Sequence, residues 1–172
     1  MTAKLTADAK GLYVIAATPF HDDGRIDFES IDSLVDFYLA CGVQGMTILG
    51  VMGEFQKLSE SETLEVSQRF IKRTAGRVPI IVGVSNPGTN QLVKTARAVM
   101  EMGAAGVMAM PIRGLTTEPS VENYLRSILT ALGPSIPVCI QDYPKLTDVY
   151  FSADCFVRLV DAFPQIAMFK HE

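Results

Sequence analysis

Six short, almost wholly apolar runs recur along the chain, separated by longer stretches in which apolar residues return every three or four positions. The runs are GLYVIAAT (11–18), GMTIL (45–49), PIIVGV (79–84), GVMAM (106–110), PVCIQ (137–141) and IAMFK (166–170). A strand that is apolar on both faces must be covered on both faces, the condition of a parallel sheet flanked by helices. The intervening stretches read as those helices. In FESIDSLVDFYLACG, Ile31, Leu34, Val35, Tyr38 and Leu39 fall on one face of a 3.6-residue period. Ser59 and Glu62 stand at capping-box spacing before a helix that ends in a basic turn and Gly76. TNQLVKTARAVMEMG and SVENYLRSILTALG close on Gly103 and Gly133, which suits a left-handed helix exit. SADCFVRLVDAFP is halted by Pro164.

A faint repeat supports the same reading. CGVQGMTIL (41–49) and MGAAGVMAM (102–110) share G-x-x-G followed by an apolar strand, and GRVPIIVGV (76–84) and GPSIPVCIQ (133–141) share a glycine, a proline and a strand. Members of each pair lie two strands apart, so one strand-plus-helix unit takes roughly 30 residues, the size of a βα unit. Regular alternation with no second composition regime argues for a single α/β domain over 1–172. An open doubly wound sheet and a (β/α)₈ TIM barrel both fit; short loops and even spacing lean toward the barrel. Six strands do not close a barrel that typically takes about 250 residues. The barrel reading therefore expects these residues to be the N-terminal part of a longer molecule, about the first six strands, with its C-terminal strands and helices beyond Glu172. Ending there would leave two long apolar edges open.

Composition narrows the function classes. The chain has a net charge of −4 and no Lys/Arg stripe, so no nucleic-acid partner is expected. MTAKLTADAK lacks the apolar core of a signal peptide, and the apolar runs are too short to span a bilayer. Cys41, Cys139 and Cys155 form no C-x-x-C pair and read as reduced thiols of a cytoplasmic protein with no membrane association. Two histidines are too few for a histidine-rich metal site, and the acidic spacing of HDDGRID (21–27) reads as a polar turn rather than a calcium loop. Neither metal nor cofactor is expected.

Three places could carry chemistry, all at the C-terminal ends of strands, where barrel active sites sit. Lys170 ends the sixth run. A free lysine is protonated at neutral pH, so a nucleophilic one must be desolvated or set near positive charge. Strand alternation would put Ile166, Met168 and Lys170 on one face, an apolar wall beneath the amine. GVMGE (50–54) follows the second strand; it is neither a P-loop nor G-x-G-x-x-G, but its exposed N–H groups could receive an anion. QDYP (141–144) ends the fifth strand, with Tyr143 a candidate proton-relay phenol and Asp142 a group that could orient a neighbour.

Taken together, these segments resemble the dihydrodipicolinate synthase / N-acetylneuraminate lyase family of class I, pyruvate-dependent aldolases and dehydratases. TPF (18–20) with DGRID (23–27) is similar to the family's first strand and turn. GVMGE stands where the family writes G-T-T-G-E or G-S-T-G-E, PVCIQDYP where it writes a strand ending Y-N-x-P, and FKHE (169–172) where it carries its Schiff-base lysine. The resemblance implies a (β/α)₈ barrel assembled as a homo-oligomer, dimer or tetramer, acting on a small 2-oxo acid. It implies an imine between Lys170 and the substrate's C2 carbonyl, with the backbone of Gly50, Val51, Met52 and Gly53 around the carboxylate, and Glu54 bracing the turn.

The departures from the family pattern are as informative. The hydroxyl pair is Val51-Met52, and the usual catalytic tyrosine aligns with Gln141, with Tyr143 two residues later on the strand as a substitute phenol. The P-Y-Y segment reads Pro111-Ile112-Arg113, and the arginine after Y-N-x-P aligns roughly with Leu146, beside Lys145. The imine former is kept while much of the proton-transfer and second-substrate apparatus has changed. That pattern fits a Schiff-base lyase other than a true dihydrodipicolinate synthase. The alternative is a catalytically impaired homologue serving as a small-molecule-binding or regulatory barrel.

Overall fold

The structure, a computed structural model, describes residues 4–172. Its elements run β1 (Tyr13–Ile15), α1 (Phe28–Ala40), β2 (Gly45–Ile48), α2 (Glu60–Thr74), β3 (Ile80–Gly83), α3 (Thr89–Met102), β4 (Gly106–Ala109), α4 (Glu118–Leu132), β5 (Val138–Asp142), α5 (Pro144–Thr147), α6 (Ala153–Ala162) and β6 (Ile166–His171). The strands pair in parallel in the order β1-β2-β3-β4-β5-β6. A doubly wound sheet reverses its strand order at a switch point; this sheet does not. Spatial order equal to sequence order, with helices between successive strands, is the architecture of a (β/α)₈ barrel, here its first six strands.

Every residue of β2, β3, β4 and β5 is buried, which explains their continuous apolarity. The strand side chains divide between two clusters by alternation. Met46, Ile48, Val82, Val107, Val138 and Ile140 pack outward against α1–α4 and α6. Ile81, Met108 and Cys139, with Tyr13 and Met168, fill the face turned away from the helices. Leu5 closes the floor of this inner face, its N–H bonded to the Ala105 carbonyl at 2.8 Å.

The caps follow the sequence, with two corrections. Asp27 caps α1 by accepting from the Ser30 N–H, and Ser59 and Glu62 form the reciprocal capping box of α2. α3 closes on Gly103 in the left-handed region (φ 106°, ψ 21°). In α2 the left-handed exit falls on Ala75 (φ 51°), one residue before the expected Gly76. Gly133 after α4 pairs φ 80° with ψ 166°, a combination essentially confined to glycine, so the turn is extended rather than left-handed helical. β1 is also shorter than its apolar run. Past Ala16 the chain leaves β2, and the Thr18 hydroxyl donates to the Gly53 carbonyl at 2.7 Å.

β6 holds the correction that matters most for the site. Val138 pairs with Ile166, but the next residue, Cys139, pairs with Met168, so the register slips by one residue at Ala167. A one-residue bulge flips the faces on either side of it. Ile166 therefore packs in the helix-side cluster and Met168 in the inner one. The expected wall of Ile166 and Met168 beneath Lys170 is built instead from Met168 and Cys139.

Candidate active site

Lys170 pairs in register with Gln141 of β5, and its side chain is only 24% exposed. Burial pushes its ammonium below the ordinary lysine value of 10.5, with Cys139 pulling weakly the other way. The Cys139 thiol is itself pushed up to about 12 by burial, so it remains an inert, protonated neighbour. Of the two groups, the amine is the candidate nucleophile.

The turn after β2 is compressed. Leu49 and Glu54, on either side of Gly50–Gly53, both take positive φ (53° and 57°), which a side chain adopts only at a cost of about 1–3 kcal/mol. The glycines serve close approach within the chain itself. A Cβ on Gly53 would lie 2.8 Å from the Leu49 nitrogen, and one on Gly83 would lie 2.0 Å from the Leu49 carbonyl oxygen, so the turn leans across the end of β3. A Cβ on Gly50 would meet the Met108 methyl at 3.2 Å, which sets the start of the turn over the inner face. Among the described residues, the N–H groups of Val51 and Met52 donate to no protein acceptor. Met52 is 60% exposed. Glu54 accepts from Lys57 Nζ at 2.5 Å and braces the turn.

At the end of β5, Gln141 and Asp142 are both buried. Gln141 Nε2 donates to Glu172 Oε1 at 2.6 Å, and the same carboxylate oxygen meets the Lys170 ammonium. On the opposite face, Asp142 Oδ2 lies 2.8 Å from His171 Nδ1. The β5–β6 ladder ends at Asp142–His171, and Tyr143 leaves the strand to open α5, its carbonyl accepting from the Leu146 and Thr147 N–H groups. Strand alternation, which would put its phenol on the face of Gln141, does not extend that far. Sequence reasoning missed Glu172, although it stands two positions after Lys170 on the same strand face. It also missed the Thr18 tether, which joins segments 35 residues apart and leaves no local signal.

Beside this rim a cavity of about 470 Å³ opens over the ends of β3, β4 and β5, lined by Phe55, Ser85, Asn86, Ile112, Arg113 and Leu146. A shallower cleft of about 710 Å³ lies at the other end of the barrel, between the C-termini of α2 and α3, away from these groups. Among the described residues, no cluster of three or more His, Cys, Asp or Glu could hold a metal ion. No described helix is long and apolar enough to cross a membrane.

The model of the dihydrodipicolinate synthetase family matches residues 8–172. The chain belongs to this family. It is 33% identical over 162 residues to the 4-hydroxy-tetrahydrodipicolinate synthase of Sorangium cellulosum, covering 93% of this chain and 53% of that protein. Its fold superposes on the dihydrodipicolinate synthase of Rhodopseudomonas palustris with a TM-score of 0.95 and 43% identity, over 99% of this chain and 56% of that one. The chloride-inhibited dihydrodipicolinate synthase of Acinetobacter baumannii, solved with pyruvate, superposes with a TM-score of 0.88 and 27% identity, over 95% of this chain and 55% of that one. The chain spans about half the length of these relatives. Within the family, this member sets Gln141 beside its β6 lysine and lines its rim cavity with Arg113.

Proposed function

We propose that the protein is a Schiff-base lyase, of aldolase or dehydratase type, acting on pyruvate or a related 2-oxo acid. Lys170 supplies the imine nitrogen. The observation that carries this reading is the partly desolvated Lys170 ammonium, set above Met168 and Cys139 on the inner face of the same rim as the unpartnered Val51 and Met52 amides. Desolvation favours the neutral amine that attacks a ketone. Two amides pointing from a tight turn suit a small carboxylate. The iminium then draws electrons from the adjacent carbon, so a C–C bond can form or break, or water can leave. Pyruvate in the Acinetobacter baumannii structure supports the substrate class. The apolar Val51 and Met52, with Gln141 in the position of the family tyrosine, set this member apart from a dihydrodipicolinate synthase. A homo-oligomer, dimer or tetramer, working in the cytoplasm belongs to the same proposal.

Borohydride reduction in the presence of a panel of 2-oxo acids tests it. The expected result is a peptide carrying Lys170 heavier by the reduced 2-oxo acid. If every acid leaves Lys170 unmodified while one still raises the melting temperature, the protein is a binding barrel rather than a lyase.

A further inference from the structure

The lysine has a carboxylate beside it, and every family hydroxyl that would handle protons next to the imine has been replaced by a group that cannot. Val51 and Met52 have no exchangeable side-chain proton, and the Gln141 amide neither gains nor loses one near neutral pH. Tyr143 lies past the end of the ladder. Glu172 is the group in this neighbourhood able to accept and return a proton while touching the reacting nitrogen. Its Oε1 meets the Lys170 ammonium and at the same time accepts from Gln141 Nε2 at 2.6 Å. The backbone holds it there, since the Glu172 N–H donates to the Asp142 carbonyl at 3.0 Å and continues the β5–β6 pairing past Lys170. Gln141 is 3% exposed, so its amide is a fixed donor aimed at one carboxylate oxygen.

We infer that Glu172 is a catalytic acid–base residue for imine formation at Lys170, oriented by Gln141. The inference rests on the proposed imine chemistry of Lys170. The carboxylate takes one proton from the Lys170 ammonium, leaving the neutral amine. The nitrogen lone pair bonds to C2 of the 2-oxo acid, and the second departing N–H proton passes to the former ketone oxygen, giving a neutral carbinolamine. Glu172 returns its proton to that hydroxyl, the C2–O bond breaks, and water leaves. The products are the iminium, one water and the regenerated carboxylate, with no outside oxidant or reductant. Gln141 thus replaces a proton-carrying phenol with a donor that positions a carboxylate instead.

The test is rapid-quench borohydride trapping with pyruvate on the intact protein, comparing rate with end point. Glu172→Gln keeps the shape and the contact with Gln141 but removes proton acceptance. The expected result is an unchanged final yield of Lys170 adduct, formed about 100-fold more slowly, the size of a general acid–base contribution. Glu172→Asp should recover at least tenfold of that loss. A Glu172→Gln rate within threefold of the parent would overturn the inference. So would a loss of rate and yield together that Glu172→Asp does not restore, because that marks a structural ion pair. Absence of adduct in the parent protein is a separate failure, which removes the imine reading of Lys170 itself.

Discussion

β5 and β6 are neighbours in one sheet, yet they live in different solvents. All five residues of β5 are buried, whereas β6 buries only Ile166 and leaves Phe169 and His171 exposed. Both end in polar residues, facing each other as Gln141–Lys170 and Asp142–His171. On β5 both polar side chains are buried and each has a partner across the strand end, Gln141 in Glu172 and Asp142 in His171. On β6 the lysine is partly covered, and burial disfavours its charged form. The inner strand offers fixed polar partners and the outer one a half-covered lysine. β6 is held to this half-open position by the bulge at Ala167 and by Phe169, whose ring stacks on Phe156 of α6 at 4.0 Å between centroids.

The largest effect should come from the fully enclosed side of this contrast. Gly83→Ala would drive a methyl into the Leu49 carbonyl, rigid backbone at 2.0 Å, with no flexible side chain to give way. Overpacking of that kind should cost about 3 kcal/mol in denaturant unfolding. The Leu49–Gly53 turn is the neighbour that must move, so 2-oxo acid affinity should fall with stability. Phe169→Ala addresses the open strand. Phe169 is 37% exposed, so the loss should be smaller than that of a core phenylalanine, about 2 kcal/mol. It should also loosen β6 and slow Lys170 trapping while leaving the β2–β5 amides slow to exchange. Equal exchange in both regions after either substitution would erase the distinction between them.

The legible and illegible parts of the molecule follow the same divide. β2 to β5 could be read directly, because complete burial forces continuous apolarity and sequential βα units force a parallel order. Ser59 and Gly103 were readable as helix ends because each acts within a few residues of itself. The bulge in β6 was not, because Ala167 looks like any small strand residue, and the slip exists only relative to β5. Lys170 could be singled out as a candidate from its place at a strand end. Its true apolar support, Cys139 from the next strand, could not, and neither could the partnership of Gln141 with Glu172, which depends on the register after the slip. Tyr143 lies one residue past the end of β5, where Pro144 opens α5 and strand alternation no longer fixes which way a side chain faces.

Burial on β6 favours the neutral amine of Lys170. Because the charged form is disfavoured in the folded state, folding sheds a proton in the window between the depressed value and 10.5, and stability rises with pH across it. The direct measurement is a pH titration of the protein labelled with ¹³C at the lysine ε-carbons, with the Lys170 resonance assigned by its disappearance in Lys170→Arg. The expected midpoint for Lys170 lies below the ordinary 10.5. A midpoint at or above 10.5 would mean that the Glu172 carboxylate outweighs burial and holds the ammonium charged, contradicting the claim.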